Sequence, residues 1–188
     1  MEKQKLQRFI DKYHLSGNVN SVVLNSVGNT LETRFITGDK SLLGELSMNS
    51  WKFEDINLGV YDTEQFSRLL GVLSDDVQIK LTKSGDKAIS LEVSDSYSKF
   101  NFMLSDLSVI NTPPELKTLP EFQLKIKVDT RFITTFIAGK SALPDTDTFS
   151  VLSNNDVVKL VIGHSSINTN KVTLPVETET YEDIDIVS

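Results

Sequence analysis

The sequence contains no cysteine, which excludes a disulfide framework, thiolate metal sites and a cysteine nucleophile and leaves stability to packing alone. No uninterrupted apolar run approaches the roughly 18 to 20 residues that cross a bilayer, so no membrane span is expected and the chain reads as cytosolic. The opening MEKQKLQRFIDKYHL is charged and periodic where a signal peptide is continuously apolar. Histidine is scarce: only His14 and His164 could serve acid–base chemistry or metal ligation near neutral pH. His14 falls at the end of a helical pattern, where a cation meets the helix dipole, and His164 ends an apolar strand; both read as structural. Asp145 and Asp147 form an Asp-Thr-Asp without a third ligand of suitable spacing and read as a turn. Walker loops, Gly-x-Gly-x-x-Gly and Gly-x-Ser-x-Gly elbows are all missing. Neither enzymatic activity nor a cofactor is therefore expected. An excess of positive charge is missing too: the net charge of -7 excludes a uniformly basic nucleic-acid binder but leaves open a segregated basic surface.

What is present is an ordinary globular composition, 188 residues with 39% hydrophobic and 24% charged, enough for one large core or two small ones. The chain repeats itself. INLGVYDTEQFSRLLGVLS from Ile56 and LKIKVDTRFITTFIAGKS from Leu124 share one grammar: a β-rich run, an Asp-Thr and a helical pattern. Asp62 and Asp129, or equally Thr63 and Thr130, can accept hydrogen bonds from the free N–H groups that open each helix. The first of these helices is expected to bury Phe66, Leu69, Leu70 and Leu73, the second Phe132, Ile133, Phe136 and Ile137. Three β-rich runs follow each: VQIKLTK, AISLEVS and KFNFMLS, then TFSVLSN, VVKLVIG and KVTLPVE, separated by turns such as SGDK and SNND. The N-terminal segment has the same order, a helix over Lys3 to Leu15 and then VNSVVLN, TLETRFIT and LLGELSMN. YEDIDIV from Tyr181 echoes FEDINLGV from Phe53, as though a fourth unit began there, so the chain is expected to be a truncated form. Strand-helix-strand order with Asp-Thr capping is also generic.

Between the second and third units, SVINTPPELKTLPEF carries Pro113, Pro114 and Pro120, which favour an extended path. It reads as an interdomain connector; an ordinary surface loop is the other reading. The expected division is a first domain over 1–107, a connector over 108–120 and an incomplete second domain over 121–188. Trp51, before a β-rich run, reads as a buried anchor near a unit boundary, with a partner contact as the alternative.

Paired strand-helix-three-strand units forming a domain, with two such domains joined by an extended connector, resemble the organisation of sliding clamps, the proliferating-cell-nuclear-antigen-like processivity factors. FEDINLGVYDTEQFSRLLGVLSDDVQI is similar to the middle of the first domain in clamps of T-even-type bacteriophages. Over the rest of the chain the resemblance rests on element order, and the family's final unit is missing. It implies an α+β DNA-clamp fold, repeated β-α-β-β-β units whose antiparallel sheets are backed by helices. It also implies a non-catalytic viral ring subunit, a homotrimer when intact, that encircles duplex DNA in the host cytoplasm and tethers the replicative polymerase. A clamp loader would open the ring with ATP, hydrolysed by the loader.

On the first helix Leu6, Phe9, Ile10 and Tyr13 share one face while Lys5, Arg8 and Lys12 share the other; Arg68 lies opposite the stripe of the second helix, and Arg131, Thr134 and Thr135 point away from Phe132 and Phe136 on the third. The acid concentrates outside the helices, as Asp75, Asp76, Glu177, Glu179, Glu182, Asp183 and Asp185. Such a basic face is also how any amphipathic surface helix stays soluble. Beside the resemblance, it makes Lys3, Lys5, Arg8, Lys12, Arg68, Arg131 and Lys140 the expected DNA-facing set, touching phosphates without reading sequence. Zinc fingers, RNP aromatics and basic arms are absent from the sequence. The resemblance further implies an apolar docking site for polymerase and loader peptides near the connector, with Leu107, Val109, Ile110, Leu116 and Leu119 as candidates; these residues equally fit pinning the connector to its own sheet. Rival readings are a β-rich phage structural or assembly protein with no DNA-tethering role, and an enzyme of unfamiliar motif.

Overall fold

The computed structural model describes residues 2–74, 76–115, 121–122, 124–154, 157–165, 167 and 169–178. The chain divides into two compact units, Met1–Glu115 and Leu116–Ser188.

The first unit opens with α1 (Lys3–His14), whose Leu6, Phe9, Ile10 and Tyr13 are buried at three- and four-residue spacing. Leu15 and Ser16 both take left-handed backbone conformations (φ 48° and 55°), which end the helix one residue before the expected Leu15. Four strands follow in space: β1 (Val22–Val27), β2 (Thr30–Ile36), β3 (Leu43–Asn49) and β4 (Ile56–Val60), in the order β3-β2-β1-β4 and all antiparallel. Gly28 and Asn29, both at positive φ (52° and 76°), make the two-residue turn between β1 and β2, the geometry that matches the right-handed twist of a hairpin. The strand preceding the second helix thus pairs not with its own unit's strands but with β1, placing Leu58 opposite Leu24.

α2 (Thr63–Gly71) is capped by Asp62, whose Oδ1 accepts from the Gln65 amide at 2.8 Å; Thr63 is buried instead. Phe66 and Leu70 are buried, Leu69 half-buried, and Leu73, just past the helix, also buried. β5 (Gln78–Ser84), β6 (Lys87–Ser94) and β7 (Lys99–Met103) form a second antiparallel sheet in the order β5-β6-β7. Both helices and both sheets share one core, in which Phe66 packs on Phe102 with ring centroids 4.7 Å apart. Trp51 is 3% exposed and donates its indole N–H to Ser26 Oγ at 3.0 Å, the buried-anchor arrangement.

In the second unit α3 (Thr130–Ala142) is capped by Asp129, which accepts from the Phe132 amide at 2.7 Å. It packs on β8 (Phe149–Asn154), β9 (Val157–Ile162) and β10 (Val172–Val176), ordered β10-β9-β8. Leu160, Ile162 and Leu174 are the buried centre, with Phe132, Phe136 and Leu143 against them. Gly139 is buried where α3 meets the sheet so closely that a Cβ would press on Ile162 and Val172, which is why the position takes glycine. Pro175 is tolerated within β10 because β10 is an edge strand.

Two expectations fail here. LKIKV before α3 shows, among the described residues, a single bridge in place of a strand ladder, Ile126 to Thr178, with the Lys127 amide bonded to the Glu177 carbonyl at 2.9 Å. Ile133 and Ile137 are not core; they are 48% and 58% exposed, because the sheet meets α3 along Phe132, Phe136, Gly139 and Leu143, and the isoleucines lie on the neighbouring flank. The fourth-unit echo from Tyr181 lies outside the described residues.

Candidate nucleic-acid interface

α1 and α2 lie against each other antiparallel, as three cross-links show: the Lys3 ammonium donates to the Leu73 carbonyl, the Gln7 amide donates to Ser67 Oγ at 2.7 Å, and the Thr63 hydroxyl donates to the Tyr13 hydroxyl at 3.4 Å. Burial of the Tyr13 phenol raises its pKa above the ordinary tyrosine range, so it stays a neutral member of this seam. With the inner faces of both helices in the common core, their remaining faces form one outward layer.

Lys5, Arg8 and Lys12 are exposed on that layer, with Asp11 beside them as the one carboxylate of α1 there. Asp11 accepts from Gln7 Nε2 at 2.9 Å. Lys3 is half-buried and spends a donor on Leu73, so it braces the helix pair as well as carrying charge. Arg68 is exposed but paired with Glu64 one turn earlier, an i,i+4 pair legible from spacing alone that competes with its use as a free cation. The expectation that acid stays off the helices therefore fails at Asp11 and Glu64. Lys52 and Lys80 are the cations that sequence reasoning missed: with Lys5 they line a cavity of about 640 Å³ floored by Trp51, Phe53, Val77 and Ile79. No linear signal could have joined them, since they come from a helix, a loop and a strand.

In the second unit, Arg131 is exposed, and Lys140 is half-buried with its ammonium donating to the Pro144 carbonyl at 2.9 Å. They sit on opposite flanks of α3, and the sector between them holds Thr130, Ile133, Thr134, Ile137, Ala138 and Ser141. α3 is thus not a basic-faced helix of the α1 kind.

Of the connector candidates, Leu107 and Val109 are 40% and 60% exposed in a 3-10 turn (Leu107–Val109), while Ile110 is buried beside Gly59 of β4. Leu116 and Leu119 lie outside the described residues. Asp106 fixes the turn by accepting from the Ser108 amide and from Lys87 at 2.9 Å; these bonds, the Lys87 one first, hold its carboxyl well below the usual carboxylate range. Leu107 borders a second cavity of about 640 Å³ over β1, β2 and β3, whose walls are mostly polar: Asn25, Glu32, Thr33, Arg34, Glu45 and Asn111 among them. Arg34 crosses it to Glu45 at 2.6 Å and Glu115 at 3.4 Å. His14 ends α1 half-buried, His164 is exposed beyond β9, and Asp145 lies in the turn after α3. Among the described residues no cluster of three metal-ligating side chains occurs, and no helix is long and apolar enough to cross a membrane.

No family model matches the chain, and no curated protein does. Among solved structures, the crystal structure of a PCNA2–PCNA3 complex from Sulfolobus tokodaii is similar, with a TM-score of 0.60 and 15% identity over 90% of this chain and 68% of that one. The likeness is one of fold: antiparallel sheets backed by helices, arranged as in a PCNA-like clamp subunit.

Proposed function

We propose that the chain is a sliding-clamp subunit that holds a replicative polymerase on duplex DNA. The observation that carries this reading is the α1–α2 layer: two antiparallel helices glued to sheets on one side and offering Lys5, Arg8 and Lys12 on the other. Side chains of this kind attract phosphates electrostatically and read no base edges, so binding is weak, salt-dependent and indifferent to sequence. Weakness suits a tether that must slide. Residence on DNA comes from topological closure, so loss of the polymerase requires ring opening rather than breakage of many contacts.

The solved neighbour is itself a complex of two PCNA proteins, which supports assembly of several such subunits into a ring, read here as a homotrimer. A clamp loader would open that ring and hydrolyse the ATP. Polymerase and loader peptides would dock at Leu107 and Val109, which among the described connector candidates have exposed apolar surface. The local similarity of Phe53–Ile79 to T-even-type clamps makes a phage source, and the host cytoplasm, the expected setting. The experiment is polymerase processivity on primed circular DNA with and without the protein and its loader: longer products per binding event are expected, and unchanged product length would overturn the reading.

A further inference from the structure

We infer that residues 110–115 form a strap that opens and closes over the outer face of the first sheet, with the Arg34–Glu115 ion pair as its catch, and so regulates access to the cavity beneath. The register of the sheet lays out its path. Gly59 of β4 pairs with Val23 of β1; one step from Leu24 opposite Thr33, Val23 comes beside Arg34 of β2; and Arg34 pairs with Glu45 of β3. These four residues form one row across the strands. Ile110 is anchored at the Gly59 end of the row, and Glu115 reaches Arg34 two strands away. Two strand spacings are about 10 Å, whereas the five residue steps from Ile110 to Glu115 can reach roughly 17 Å. The segment is longer than its span and arches. The cavity of about 640 Å³ lies between arch and sheet, with Val23, Asn25 and Arg34 on one side and Asn111, Thr112 and Pro113 on the other.

The two ends are held unequally. At the near end Ile110 is buried, and the chain just before it is fixed by the Ser105 amide on the Gly59 carbonyl and by Lys87 on Asp106. Further along, Pro113 is buried, but among the described residues no main-chain hydrogen bond joins Asn111, Thr112 or Glu115 to the sheet. The far end is left to the ion pair of Glu115 with Arg34 Nη1 at 3.4 Å, whose side chains are 70% and 39% exposed. Glu45, directly opposite Arg34, lies 2.6 Å from its Nε and holds the guanidinium in place, leaving Nη1 for Glu115. An exposed pair of this kind adds little and is screened by salt, so it favours closure without locking it. Opening bares the sheet face next to Leu107, which borders the same cavity. The consequence for peptide docking rests on the reading of Leu107 and Val109 as the docking site; the motion of the strap does not. Strap and DNA contact also respond to salt in opposite senses, since salt that weakens phosphate binding strengthens release of the strap.

Because the chain has no cysteine, Thr112→Cys carries a single nitroxide label. Its electron paramagnetic resonance spectrum reads the mobility of the strap in the full chain, without DNA, polymerase or loader. Arg34→Gln should raise the ratio of mobile to immobile label roughly two- to fivefold, and salt at about 1 M should do the same to the parent. Arg34→Glu with Glu115→Lys, which reverses the pair, should return the ratio to the parental value. Circular dichroism checks the folding of each variant. If substitution at Arg34 disrupts the sheet, Glu115→Gln, which alters only the strap, should give the same rise. A ratio unmoved by Arg34→Gln in a folded protein, by Glu115→Gln or by salt, or a reversed pair as mobile as the single variants, would each overturn the inference. Altered spectra together with unchanged processivity would overturn the clamp reading alone.

Discussion

Gln7 on α1 donates its side-chain amide to Ser67 Oγ on α2 at 2.7 Å, sixty residues along the chain, and this bond sits at the middle of the seam that makes one layer of two helices. Gln7→Ala or Ser67→Ala should each cost about 1 kcal/mol in chemical denaturation, a typical net value for such a bond. Gln7 also donates to Asp11, but both single variants lose the same Gln7–Ser67 bond, so the double variant should cost less than the sum. Strict additivity would contradict the assignment.

Trp51 and Ser26 form a buried pair at 3.0 Å. Ser26→Ala leaves the indole N–H without its acceptor, and a loss of about 1–3 kcal/mol is expected from that desolvated donor. The single tryptophan reports the change directly: its emission should shift while the far-ultraviolet spectrum stays the same. An unaltered emission maximum and stability would show that the pair contributes nothing.

Gly59 in β4 is approached by the chain leaving β7: the Ser105 amide donates to its carbonyl at 2.9 Å, and a Cβ at Gly59 would collide with the Ser105 carbonyl oxygen. Gly59→Ala should therefore destabilise the first unit by about 1–3 kcal/mol through overpacking. Thermal unfolding that matches the parent would mean this approach relaxes freely.

Asp95 accepts from the backbone amides of Ser74, Ser98 and Tyr97, which together hold its carboxyl at a pKa of about 2. Its unfolded value is about 3.9. A depressed folded pKa adds stability above the unfolded value and surrenders it as pH falls through the folded one, here between about 4 and about 2. Asp95→Asn should flatten that part of the acid limb in denaturation midpoints measured against pH. Curves that remain parallel would contradict it.

The sequence alone made α1 and α2 legible because each buries one stripe against a single core, and it made the Asp62 and Asp129 caps legible because capping is local chemistry. The pairing of β4 with β1 was not legible: it depends on contacts between repeats, which no periodicity encodes. Ile133 and Ile137 were misread because an apolar stripe wider than one sheet contact looks, in sequence, like a wider core face. Lys3 and Lys140 looked like free cations because acceptance by a main-chain carbonyl leaves no mark on the sequence. Lys52 and Lys80 join Lys5 only in three dimensions.

Tethering requires the positive side chains of α1 to meet DNA. Binding of a sequence-scrambled duplex at low salt, compared between the parent and the variant carrying Arg8→Glu with Lys12→Glu, tests it most directly. The predicted result is weak parent binding that falls steeply as salt rises, near-complete loss in the variant, and identical unfolding curves for the two proteins. Equal binding by both proteins at every salt concentration would contradict it.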